Sequence, residues 1–151
     1  MSTGAVATTP LHQPALHESG LKHTTGEARY VDDLPAPPRM LVGQVVVSPH
    51  ARAKILRRDG AKARAVPGVH AVYFAEDVPG LNDVGPVVHD EPLFATSEVQ
   101  FLGQSVALVV GESYEACRAG VKAVEVDYQP LPAILTIEAA ESAGAWLSEP
   151  H

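Results

Sequence analysis

Between Asp77 and Pro92 the sequence places Pro79, Gly80, Gly85, Pro86 and Pro92, a spacing that excludes regular structure across most of the segment. Any fold adopted by this chain must therefore close around a long loop. Loops of this length in compact domains are functional or disordered far more often than they are mere connectors. This one, "LNDVGPVVHDEPLF", sets apolar residues against a His-Asp-Glu triplet. It either makes a site of its own or serves one made elsewhere.

The flanking sequence predicts short elements. "GEARYVDDLPAPPRM" reads as a short strand-like piece, an Asp-Asp-Leu-Pro turn and a proline-rich connector that cannot be helical. "MLVGQVVVSP", Met40 to Pro49, is apolar at successive positions and valine-rich, which predicts a strand covered on both faces. "RAKILRRD" alternates Ala53, Ile55 and Arg57 against Lys54, Leu56 and Arg58, a less buried strand ending at Asp59, a plausible N-cap. A helical turn, "GAKARAV", closed by Pro67-Gly68, and a strand, "VHAVYFAE", complete a strand-helix-strand unit.

Beyond the loop, "VQFLGQSVALVVGES" bends at Gly103-Gln104 into a central-strand candidate, Val106 to Val110. Leu102 to Gln104 reads as a structural turn, with Gln104 hydrogen-bonding to it. Ser113 is placed to cap a helix whose apolar stripe is Tyr114, Cys117, Val121 and Val124. In "VEVDYQPLP" the residues Val124, Val126 and Tyr128 share a face until Pro130, and a last helix starts at Thr136. Five or six strands mixed with two or three short helices make an α+β or α/β domain, with α+β and a mixed sheet the expected class.

Composition narrows the partners. The formal net charge of -7 repels phosphate backbones and anionic lipid, so neither nucleic acid nor membrane is an expected partner. No apolar run approaches the roughly 20 residues that span a bilayer, and the N-terminus lacks a signal-peptide pattern; the cytoplasm is the expected compartment. The single cysteine, Cys117, lies in a predicted helix and reads as a small buried hydrophobe. Met1 to about His23 reads as an extended arm, and the spacings of His12, His17 and His23 fit neither one helical face nor a zinc pair.

No nucleotide fingerprint, phosphate loop, cysteine cluster or nucleophile elbow is present in the sequence. The remaining constellation is Asp83, His89, Asp90 and Glu91. These residue types supply a general base with an orienting carboxylate, or hard-metal ligands. Adjacent residues, however, seldom converge on one atom, and a solvated charged loop is inexpensive to form. Loop anchoring or an interface is the simpler role for all four.

Seven pieces in order, "TGEARYVDDLP", "SPHARAKI", "VPGVHAVYFAEDVPG", "NDVGPVVHDEP", "VQFLGQSVALVVGES", "VEVDYQPLPA" and "IEAAE", resemble the molybdenum hydroxylases. That family comprises xanthine dehydrogenases, aldehyde oxidases and carbon monoxide dehydrogenases. The resemblance runs from about Gly20 to Glu141, and is to the N-terminal α/β-hammerhead domain of the molybdopterin-binding subunit. The "NDVGPVVHDEP" loop is most like bacterial xanthine dehydrogenase large subunits.

The resemblance implies an arm over residues 1–22, the hammerhead domain over 23–142 and a tail over 143–151 leading to molybdopterin-binding domains. It implies a complete enzyme that hydroxylates hypoxanthine or xanthine toward urate. Electrons would pass from molybdenum-molybdopterin through iron-sulfur clusters and FAD in a partner subunit to NAD. The residues that contact the pterin, and the base near molybdenum, belong to later domains of the family. No catalytic, cofactor-binding or metal residue is therefore expected here, and the isolated chain is expected to be an inactive fragment. The family places the segment matching Val84 to Val88 near the substrate funnel, which makes Pro86, Val87 and Val88 candidates for its apolar wall. Other readings are an aldehyde oxidase or other molybdenum hydroxylase subunit, a stand-alone enzyme using the His-Asp-Glu loop, and a stand-alone binding module of the same fold.

Overall fold

The computed structural model describes residues 16–146, which fall into two units divided between Pro38 and Arg39. In the first unit, helix α1 (Gly20–Thr25) occupies the end of the stretch expected to be extended, and it buries no residue. Thr24 and Thr25 donate their hydroxyls to the Leu21 carbonyl, a local bond that holds this turn. The expected short strand after Gly26 is instead a single 3-10 turn, Val31–Asp33. Asp33 accepts the Tyr30 amide hydrogen at 2.9 Å, so the carboxylate closes the chain back on itself where a strand would need a neighbour.

The second unit contains strands β1 (Val42–Val47), β2 (Ala53–Asp59), β3 (Val69–Tyr73), β4 (Glu98–Val99), β5 (Ser105–Gly111) and β6 (Glu125–Pro130). Helices α2 (Ala61–Arg64), α3 (Tyr114–Ala123) and α4 (Ile137–Ala143) are interleaved with them. The strands divide into two three-stranded sheets, ordered β1-β5-β3 and β4-β2-β6, with antiparallel pairing throughout. The local order strand-helix-strand appears as expected in β2, α2 and β3, but its two strands lie in different sheets. With only 4 residues, α2 is far too short for a parallel crossover, which needs roughly a dozen residues.

Each sheet has its own core, and β5 feeds both. Side chains alternate along a strand, and β5 sends Ala107 and Val109 into a cluster with Val46, Val72 and Phe74. Its Val106 turns the other way, toward Ala53, Ala95 and Val99. All three β5 residues are fully buried, as expected for a central strand. β1 departs from expectation: Val46 is 8% exposed, whereas Val45 and Val47 are 41% and 51% exposed. As an edge strand paired only to β5, it buries the face beneath α3 and leaves the other half open.

The stripe of α3 is also shifted from the one expected. Ser113 caps the helix as predicted, accepting from the Ala116 amide. Tyr114 faces solvent, and the buried residues are Ala116, Cys117 and Gly120. Small residues lie underneath because the helix sits hard against the sheet: a Cβ on Gly120 would fall 2.8 Å from Val109 Cγ1 and 3.0 Å from Val69 Cγ2. Cys117 is wholly buried and donates its thiol to the Val42 carbonyl. Val124 closes α3 and packs on the first core, while Val126 and Tyr128 pack on the second, so the expected common face is split.

In β2 the register shifts between Ile55 and Arg57, and this bulge changes which arginine turns inward. Arg58, with a side chain 19% exposed, reaches the Ala95 carbonyl, and Arg57 lies outside against Asp127. Asp59 accepts the Ala61 amide hydrogen at 2.8 Å and so steadies the start of α2, although Gly60 holds the cap position itself. Thr136 caps α4 as expected.

Two expected outcomes follow from the packing. Gly120→Ala gains about 1 kcal/mol of helix propensity but drives a methyl into two branched valines, an overpacking that costs about 1–3 kcal/mol. Denaturant unfolding should show a net loss of about 1 kcal/mol; an unchanged or raised midpoint would mean that α3 can lift away freely. The second concerns Tyr128, which meets the His50 ring edge-on at 5.0 Å. Burial pushes its phenol above the ordinary tyrosine range, against an opposing hydrogen bond with Ser48. The folded state then holds the phenolic proton more tightly than the unfolded chain does. Stability from this group is complete below about pH 10 and is lost as the pH rises through the folded value. Tyr128→Phe should flatten the alkaline decline in unfolding midpoint; an identical decline in both proteins would contradict the assignment.

Candidate functional site

The long loop is tied at three levels. At its base the Asn82 side-chain amide bonds to both backbone groups of Phe94, donating Nδ2–H to the carbonyl at 2.7 Å and accepting the amide hydrogen at 2.9 Å. Inside that rung, Val84 donates its amide hydrogen to the Glu91 carbonyl at 2.9 Å. Inside that again, Asp83 Oδ1 accepts the Gly85 amide hydrogen at 2.7 Å and lies 3.4 Å from His89 Nδ1. Gly85 is buried, and a Cβ there would fall 2.0 Å from the Val88 carbonyl oxygen, so only glycine fits this crossing of the chain.

The sequence-predicted residues are thereby sorted. Asp83, whose side chain is 17% exposed, and His89 come together at the neck of the loop. Asp90 and Glu91 are exposed, and among the described residues neither side chain joins a hydrogen bond or ion pair; Glu91 contributes only its carbonyl. Pro86, Val87 and Val88 form an outward tip, with Val87 87% and Val88 63% exposed. The structure thus presents an apolar tip on a polar neck.

The C-terminal root of the loop is fixed to the sheets. Ala95 donates its amide hydrogen to the Ser105 carbonyl at 2.8 Å and accepts from Arg58 Nη1 at 2.9 Å. Arg58 in turn lies over the Phe74 ring and 3.4 Å from Glu76. Nearby, Gly103 turns with φ 87° and donates to the Ser48 carbonyl, while Ser48 donates to the Gln104 carbonyl. Gln104 Oε1 accepts the Gln100 amide hydrogen at 2.6 Å, so "LGQ" is the structural turn expected.

Sequence reasoning missed the tie made by Asn82 and the bond of Arg58 to the loop root, and read Gly85 only as a breaker of regular structure. Asparagine at a loop start usually signals a bond to its own neighbours. A partner as distant as Phe94 leaves no local pattern to read.

The chemistry available to these residues is limited. Asp83 and His89 form a pair that, among the described residues, no third ionisable side chain joins, and His89 is 74% exposed. Among the described residues no group of three or more His, Cys, Asp and Glu side chains is disposed to hold a metal ion. A separate groove of about 690 Å³ lies between the start of β2 and α4, lined by Arg52, Glu98, Phe101, Leu102, Ile134 and Trp146 among others. It is mainly apolar, and its cation Arg52 is already held by Glu98 at 2.8 Å. Among the described residues no helix is long and apolar enough to cross a membrane.

Comparison with known proteins supplies the context that the geometry lacks. Residues 25–132 match the model of the a/b hammerhead domain of aldehyde oxidase and xanthine dehydrogenase. The chain is 43% identical over 138 residues to a xanthine dehydrogenase of Oryza sativa subsp. japonica, covering 91% of this chain and 10% of that protein. It is likewise 43% identical over 140 residues to aldehyde oxidase 4 of Cavia porcellus, covering 92% of this chain and 10% of that protein. Among solved structures, a Cu,Mo-CO dehydrogenase superposes with a TM-score of 0.74 at 36% identity, over 83% of this chain and 16% of that one. The chain spans about a tenth of the length of these curated relatives. It belongs to the aldehyde oxidase and xanthine dehydrogenase family, as an example of its α/β-hammerhead domain.

Proposed function

We propose that this chain is the N-terminal structural and interface domain of the molybdopterin-binding subunit of a xanthine dehydrogenase, and that its loop tip lines the approach to the substrate. The supporting observation is the tip itself: Pro86, Val87 and Val88 face outward on a neck braced by Asp83, Gly85 and Asn82. An apolar tip held out in solvent is stabilised once something apolar lies against it. In the proposed reaction a purine C–H becomes C–OH with oxygen from water, and two electrons pass to NAD.

The residues described here do not fit molybdopterin. The groove is apolar, its one arginine is committed to Glu98, and the loop offers no convergent donors. We therefore assign the cofactor to later domains of the same subunit, and iron-sulfur clusters and FAD to a partner subunit. This chain supplies shape and position, while the redox chemistry belongs to those groups. In this reading residues 23–142 are the domain, and most of the expected arm, 1–22, and tail, 143–151, lies outside the described residues. Asp83 and His89 anchor the loop, and the free carboxylates of Asp90 and Glu91 face a neighbouring domain. The buried, unpaired Cys117 suits the reducing cytoplasm.

A second reading, an aldehyde oxidase subunit, is supported by the identity to the Cavia porcellus enzyme, which equals that to the rice one. Steady-state kinetics of the complete enzyme with purines and aromatic aldehydes separates the two. In the same enzyme Val87→Asp should raise KM for the preferred substrate by about tenfold or more, because a carboxylate would be placed in the apolar approach. Unchanged KM and kcat would remove the tip from the substrate's path.

A further inference from the structure

We infer that Asn82 is a positioning residue for substrate entry: its side-chain amide is the strut that joins the free arm of the loop to the sheets and so sets where the Pro86-Val87-Val88 tip stands. The inference rests on the reading of that tip as a wall of the substrate approach.

The two arms of the loop are held very differently. The returning arm is buried at its root, with Phe94 6% and Ala95 1% exposed and Ala95 bonded through both its backbone groups. The outgoing arm is exposed. Pro79, Gly80 and Leu81 are exposed, and a Cβ at Gly80 would meet nothing within 4 Å. After the Asp77 turn, Asn82 is the first residue of that arm with a hydrogen bond to the sheet-bound side.

The chemistry of the rung is specific to a primary amide. Phe94 offers a buried donor and a buried acceptor on one backbone, and the partner must answer each with the opposite group. Asparagine carries an N–H donor and a carbonyl acceptor on one planar side chain. Aspartate keeps the size and can accept from the Phe94 amide, but it sets an oxygen against the Phe94 carbonyl. Leucine or alanine answers neither group. The inner ties, Val84 to Glu91 and Asp83 to Gly85, then make the tip one stiff piece whose position follows the outer rung.

The test uses the complete enzyme carrying this domain, with Asn82→Asp, Asn82→Ala, Val87→Asp and Gly120→Ala, the last straining the α3 interface without touching the loop. KM and kcat are measured, together with hydrogen-deuterium exchange of residues 83–93 and the thermal midpoint. For Asn82→Asp the expected result is loop exchange faster by about tenfold and KM raised roughly five- to tenfold with kcat within about twofold. Asn82→Ala should behave alike, and Gly120→Ala should lower the midpoint without moving KM. If Val87→Asp raises KM and Asn82→Asp does not, the strut role is wrong and the wall survives. If the loop loosens in Asn82→Asp while KM stays fixed there and in Val87→Asp, the wall reading fails and takes the positioning role with it. A KM rise in Gly120→Ala equal to that in Asn82→Asp would make Asn82 merely structural.

Discussion

The fold depends on the close approach of α3 to β5. Gly120 lies against Val109 and Val69 with no room for a methyl group, and Cys117 beside it seals the space over Gly111. Because the helix covers only one face of its sheet, β5 is free to turn Val106 the other way and begin the second core. The two sheets are thus joined through one strand whose alternate residues answer to different cores. Loosening α3 would expose the first core and remove the fixed side from which Val106 is presented to the second.

That arrangement explains which parts of the sequence could be read. β5, the Ser113 and Thr136 caps and the "LGQ" turn were legible because each depends on local spacing: alternating burial, a hydroxyl before a helix, a glycine at a bend. β1 was misread because an unbroken run of valines looks the same whether one face is covered or two. Tyr114 was misread because periodicity favours the large residue, whereas a helix pressed onto a sheet selects the small ones, Ala116 and Gly120. The bulge in β2 exchanged Arg57 for Arg58, and no side-chain pattern announces where a strand gains an extra residue.

The candidate site was legible in outline alone. Its place followed from the prolines and glycines, and its apolar tip from Pro86 to Val88. The tie that gives the loop its shape was hidden, because Asn82 acts on Phe94 across the whole length of the loop. Of the charged residues that drew attention, Asp83 works as a neck and His89 stands beside it, while Asp90 and Glu91 leave their side chains outside. The triplet is adjacent in sequence, but its side chains do not converge on one point.

A scaffold whose family model spans aldehyde oxidase and xanthine dehydrogenase, and which superposes on a CO dehydrogenase with a TM-score of 0.74, is a poor carrier of the choice among their substrates. What can differ is the part that departs from the sheets. In this chain that part is a loop whose base is fixed by one amide and whose neck requires one glycine, leaving the tip free to vary in size and polarity at little cost to the cores. Because the Asn82 rung is separate from the exposed tip, side chains at residues 86–88 can change without refolding the domain. By the same logic the stability of the domain resides in α3 and β5, and under the proposed function any influence on substrate choice would lie in residues that neither core contains.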